Sequence, residues 1–136
     1  MQQRARVFTY DVSLDREWTA TSGEGGSPLP LEEPWSPEHL LLAGLARCSL
    51  TSLRYHARRA GTEVTASASA NGTVTRREED GRFAFMEIDV EADVTFDPRP
   101  EDVRELLAKA ERDCFVGASL TVKPHYRWTV DGEEVA

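Results

Sequence analysis

Ser36-Pro37-Glu38-His39-Leu40-Leu41-Leu42-Ala43-Gly44-Leu45-Ala46-Arg47-Cys48 is the stretch that decides how this chain folds. Ser36 is a good helix N-cap, Pro37 suits the first helical position, and Glu38 complements the positive end of the helix dipole. The spacing predicts a helix from Pro37 to Arg59, stopped by Gly61 at the position after the cap. Its leucines (Leu40, Leu41, Leu42, Leu45, Leu50, Leu53) are too dense for one stripe. Such a helix is expected to be buried over most of its circumference, covered by a sheet and, in so short a chain, by a partner chain.

Working outward, residues 4–22 read as two strands with a turn near Asp15-Arg16. Val7, Phe8, Thr9 and Tyr10 supply the β-favouring positions. Ser22 to Pro34 is dense in Gly and Pro and is predicted irregular. Beyond the helix, Thr62–Glu78 is a strand with small inward residues, and Glu79-Asp80-Gly81 is a hairpin turn. Met86, Ile88, Val90, Ala92, Val94 and Phe96 then alternate with Glu87, Asp89, Glu91, Asp93 and Thr95, giving one core face and one acidic, wet face. Asp97-Pro98-Arg99-Pro100 breaks the chain. A second helix follows over about Glu101–Asp113, with Val103, Leu106, Leu107, Ala110 and Cys114 on one stripe. Thr121–Val130 is the last predicted strand, with Pro124 marking an edge or bulge. Strands and helices segregate rather than alternate strictly, so the fold class is α+β in one domain over residues 1–136.

Composition narrows the function. The 136 residues are 40% hydrophobic and 29% charged, as in ordinary globular domains. A formal net charge of −8 disfavours nucleic acid as a partner, because phosphate neutralisation needs a basic face. The longest apolar run, Leu40–Ala46, is far too short for a membrane span. The amino terminus lacks an apolar signal region, so a cytoplasmic location and no membrane partner are expected.

There are two cysteines, Cys48 and Cys114. In a reducing compartment they are not a structural disulfide framework. His39, His56 and His125 show no metal-ligand spacing with them, so neither a metal nor a bound cofactor is expected. Both project from core-facing stripes of different helices, which makes their proximity plausible without requiring it. Taken singly, each is more often a small buried hydrophobe than a reactive group. Glu38 lies ten positions before Cys48, ~15 Å along a straight helix, and cannot touch it within that helix.

The segment Ser36–Cys48, with Pro-Glu, an apolar helix and a cysteine ten positions after the glutamate, resembles the signature of the OsmC/Ohr family. Ala110-Glu111-Arg112-Asp113-Cys114-Phe115-Val116 is similar to that family's second-cysteine segment, and the order of elements agrees over nearly the whole chain. The resemblance implies an OsmC-like fold, with antiparallel sheets wrapped around a long central helix in an intertwined homodimer. It also implies a thiol peroxidase acting on organic hydroperoxides at the dimer interface. In it Cys48 would be oxidised to a sulfenic acid and Cys114 would resolve it as a disulfide, with an external dithiol reductant of lipoyl type restoring the pair. Glu38 would match the family glutamate that orients an arginine and could serve the other subunit's site.

Two departures accompany the match. The family's catalytic arginine comes from the amino-terminal strands or the following loop, yet Ser22–Trp35 holds no arginine. The candidates are Arg4, Arg6 and Arg16, of which Arg16, beside the turn, is preferred, with an exposed strand-end charge at least as good a reading of it. Phe115 follows Cys114 where many relatives carry proline. The alternative to the enzyme is an OsmC-like protein that binds a hydrophobic small molecule in the dimer-interface cleft, with Trp35 and the leucine-rich helix suiting either.

Overall fold

The computed structural model describes residues 5–135, which fall into two compact units, Met1–Pro37 and Glu38–Ala136. In the first unit, β1 (Val12–Leu14) and β2 (Ala20–Ser22) form an antiparallel hairpin. Asp15 organises its turn, the carboxylate accepting from the backbone N–H groups of Glu17 and Thr19 at 2.9 and 3.0 Å. The hairpin agrees with the sequence reading, but its strands are shorter. Val7, Phe8 and Tyr10 are exposed and outside any described strand. Residues 23–34 are irregular apart from one bridge between Ala20 and Leu29.

Helix α1 runs from Pro37 to Arg59, the span its sequence predicts. Its end is a Schellman motif. Gly61 takes φ +80°, its N–H reaches the Arg58 carbonyl, and the Thr62 N–H reaches that of Ala57. The burial differs from expectation. Within this chain only Leu45, Ser49, Ser52, Leu53 and Ala57 are buried, which is one stripe at helical spacing. Leu40 and Tyr55 are exposed and Leu41, Leu42 and Leu50 half-buried, so about half the circumference is left uncovered by its own chain.

Strands β3 (Glu63–Arg76) and β4 (Phe83–Asp97) form a long antiparallel hairpin. Gly81 at φ +70° and the Asp80 carboxylate, paired with Arg77, shape its turn. The alternation of β4 holds from Ile88 to Phe96, whose inward members are all buried. Met86 does not follow it. A bulge opposite Thr73/Val74 shifts the register, leaving Met86 exposed and turning Phe85 inward over Gly72. α2 (Val103–Arg112) is capped by Asp102, whose Oδ1 accepts from the Glu105 N–H at 3.0 Å. A single turn, α3 (Phe115–Ala118), then leads into β5 (His125–Val130).

The second unit's sheet has the order β3-β4-β5-β6, where β6 is Glu133–Val135. β5 therefore lies inside the sheet, and Pro124 stands one residue before it rather than at an edge. β4 and β5 pair in parallel, with α2 and α3 forming the crossover, so this sheet is mixed where wholly antiparallel sheets are expected. β6 is absent from the sequence reading. Asp131 and Gly132, both at positive φ (50° and 87°), turn the chain back to make it.

One face of the sheet carries the core. Leu53 and Ala57 of α1, Val94 and Phe96 of β4, Leu106 and Ala110 of α2, and Trp128 of β5 share one cluster, while Leu45, Ile88, Val90 and Cys114 form a second. Each large aliphatic side chain so buried contributes about 1.5–3 kcal/mol. The opposite face shows the acidic residues of β4, with Glu91 held by Arg127 at 3.2 Å. Among the described residues, no helix is long and apolar enough to cross a membrane.

Candidate functional site

Cys114 closes the apolar stripe of α2, and its own backbone starts α3. Its sulfur is fully buried and accepts the Gly117 N–H at 3.4 Å. Two anchors hold this corner. His56 Nε2 of α1 lies 2.7 Å from Asp113 Oδ2, and Arg112 grips the same carboxylate at 2.9 and 3.0 Å. The Arg112 guanidinium, and after it the His56 ring, hold the Asp113 carboxyl down at about 2, against the smaller opposing pull of desolvation.

Cys48, on the facing side of α1, meets Cys114. Cys48 packs against the cluster that contains Cys114, and Cys114 and the backbone N–H groups of Val116 and Phe115 lie close enough to act on its thiol. Burial pushes the Cys48 thiol up, and the neighbouring Cys114 adds to this; the two backbone donors work against it. Cys48 sits at the margin of the buried stripe rather than within it, and is half-exposed. A Cβ placed on Gly44, one turn earlier, would meet nothing within 4 Å, so space is open on that side. Both cysteines are free thiols.

Behind the pair lies a polar group that the sequence reading passed over. Ser49 is buried, donates to the Leu45 carbonyl at 2.9 Å, and lies 2.9 Å from the Tyr126 hydroxyl and 3.6 Å from the Cys114 sulfur. Tyr126 stacks on Trp128 at 5.7 Å, and Trp128 Nε1 donates to Glu111 at 2.8 Å. The available signal was Tyr126 itself, since a tyrosine on the inward face of a strand needs a partner for its hydroxyl.

A sequence model of the family described as OsmC-like protein matches residues 31–129, a segment that contains both cysteines. The chain belongs to the OsmC-like protein family. Solved structures share the fold at low identity. The organic hydroperoxide resistance protein OhrB of Bacillus subtilis is 22% identical, with 91% of this chain and 98% of that chain covered at a TM-score of 0.59. An OsmC-like protein of unknown function from Vibrio cholerae is 15% identical, covering 91% and 99% at a TM-score of 0.72. An organic hydroperoxide resistance protein OsmC from Legionella pneumophila is 18% identical, covering 93% and 98% at 0.59. No curated protein matches the sequence.

In this OsmC-like protein the other sequence-predicted residues lie on another turn of α1 or in the first unit. Glu38 is exposed in the first turn of α1, ten residues and nearly three turns before Cys48. Arg16 is exposed in the turn of the β1–β2 hairpin, in the first unit, whereas both cysteines belong to the second. Arg6 lies over the Phe8 ring at 5.2 Å, and Arg4 falls outside the described residues. Among the described residues, no cluster of three or more His, Cys, Asp or Glu is arranged to hold a metal ion.

Proposed function

We propose that this OsmC-like protein is a thiol peroxidase that reduces organic hydroperoxides. The observation carrying this reading is a half-exposed Cys48 thiol on α1 packed against the cluster that holds the fully buried Cys114, at the junction of α2 and α3. One sulfur is open to a substrate and the other is waiting beside it. The Cys48 thiolate attacks the terminal peroxide oxygen, the O–O bond breaks, and the alkoxide takes a proton to leave as an alcohol. Cys48 is then a sulfenic acid. Cys114 attacks its sulfur, the S–O bond breaks, and water leaves as the disulfide forms. An external dithiol, lipoyl-type by family resemblance, restores both thiols by exchange.

Burial disfavours the Cys48 thiolate, so the reaction calls for a cation at the sulfur. Arg16 is assigned that role and Glu38 the role of orienting it, both within a homodimer in which one subunit completes the other's site. The exposed apolar residues of each unit, such as Val12, Leu14 and Trp18 in the first and Leu40 in the second, are consistent with a second copy covering them. With cumene hydroperoxide and a dithiol, the wild type should consume peroxide and Cys48→Ser should not. Equal turnover in that variant rejects the enzyme. A hydrophobic ligand retained by Cys48→Ser, with no wild-type turnover, favours the binding-protein alternative.

A further inference from the structure

As the resolving thiol Cys114 must attack Cys48, yet it is fully buried. Ser49 Oγ, 3.6 Å from its sulfur, is the polar side chain set against it. A hydroxyl offers one hydrogen and two lone pairs. With its hydrogen on the Leu45 carbonyl, Ser49 Oγ has both lone pairs left, one for the Tyr126 O–H at 2.9 Å and one for the Cys114 S–H at 3.6 Å. Every position of this hydroxyl is used, so the Cys114 sulfur is held at one place by a group that is itself held from two sides.

The arrangement can also reverse. When Cys114 loses its proton, a rotation of the Ser49 hydroxyl turns its hydrogen onto the sulfur. The Leu45 carbonyl stays bonded within the helix, and the Gly117 N–H at 3.4 Å remains on the sulfur. Tyr126 keeps its own proton throughout, because burial, the largest influence, pushes its hydroxyl up to about 12. Tyr126 and Gly117 also line an open groove of about 680 Å³, bordered by Arg104, Arg112 and Lys123. The hydroxyl chain from Cys114 thus ends at a residue that borders solvent.

We infer that Ser49 and Tyr126 are positioning residues for the resolving thiol, holding the Cys114 sulfur in place and turning a hydroxyl hydrogen onto it as it loses its proton and the disulfide forms. The inference rests on the proposed roles of the two cysteines, but its test does not require peroxide chemistry. Ellman's reagent, a bis-nitrobenzoate disulfide, converts the half-exposed Cys48 to a mixed disulfide and releases one aryl thiolate. Cys114 then attacks the Cys48 sulfur. A protein disulfide forms, the mixed disulfide breaks, the second aryl thiolate leaves, and the Cys114 proton passes to solvent.

The second release, followed at 412 nm by absorbance (about the aryl thiolate maximum), reports Cys114 alone and is independent of protein concentration. In Ser49→Ala and Tyr126→Phe the ratio of second-phase to first-phase rate should fall about tenfold, the equivalent of one lost hydrogen bond at the reacting group. Ser49→Thr, which keeps the hydroxyl, should restore it to within about threefold. Circular dichroism shows whether each variant is folded, and Tyr126→Phe, which removes one oxygen, carries the test if Ser49→Ala does not fold. An unchanged ratio in Tyr126→Phe, or a Ser49→Thr protein as slow as Ser49→Ala, overturns the inference. A protein that passes this test yet consumes no hydroperoxide overturns the peroxidase alone.

Discussion

Replacing Asp113 by Asn tests whether the ion pairs beside Cys114 hold its corner of the fold. The carboxylate is bonded to Arg112 at 2.9 and 3.0 Å and to His56 at 2.7 Å, and its acidity is shifted from 3.8 to about 2. At about 1.4 kcal/mol per unit, that shift would correspond to roughly 2 kcal/mol. The Asp113 side chain is 38% exposed and that of Arg112 68%, so solvent screens the pair strongly. About 1 kcal/mol is the reasonable expectation after that discount. Because the folded-state value is depressed, this stability is fully present above the ordinary carboxyl value of 3.8 and is lost as pH falls through about 2. Urea unfolding of Asp113→Asn should show a loss of about 1 kcal/mol at neutral pH, shrinking steadily between pH 4 and pH 2. A loss that stays constant over that acid range would mean that shape, not charge, is what Asp113 supplies. No loss at neutral pH would mean that the cluster contributes nothing to stability.

Two further outcomes follow from the site and the sheet. In Arg16→Ala, alkylation of Cys48 by iodoacetamide should still be accelerating at about pH 9, since burial holds the thiol above its ordinary value. A plateau below about pH 8 in that variant would show that another cation governs the sulfur. Gly72→Ala places a Cβ 2.7 Å from Phe85 Cε1 and 3.3 Å from the Glu87 carbonyl oxygen. The half-buried ring must swing away, at a cost of about 1–2 kcal/mol seen as a lowered melting temperature; an unchanged one would contradict this packing.

The parts of the fold visible in the sequence are those set by local chemistry. Pro37 at the start and Gly61 at the end bound α1 because both act through their own backbone angles. The β4 alternation and the α2 stripe were legible because a periodic apolar pattern leaves one face to bury. Pairing was not. Whether β5 joins β4 in parallel depends on how the α2–α3 crossover packs, and nothing near Tyr126 in the chain states it. The bulge that exposes Met86 accompanies Phe85 packing over Gly72, a contact between strands. Asp131-Gly132 was a legible hairpin signal that the reading did not use. For the site, helical spacing brought both cysteines to core faces, but it placed Cys48 inside the stripe that Ser49 actually occupies. The Ser49–Tyr126 bond joins residues 77 positions apart, beyond the reach of any local pattern.

The parallel crossover also has a temporal consequence. Cys114 is carried by the connection between two adjacent strands, so its seat beside Cys48 is finished only when β5 docks alongside β4. Contacts closed over long stretches of chain form late, after the local helices and the β3–β4 hairpin. During synthesis the chain therefore displays two separate thiols until its last strands emerge. A Cys48–Cys114 bond would then be a mark of completed folding, and an oxidant meeting the nascent chain would find Cys48 without its neighbour.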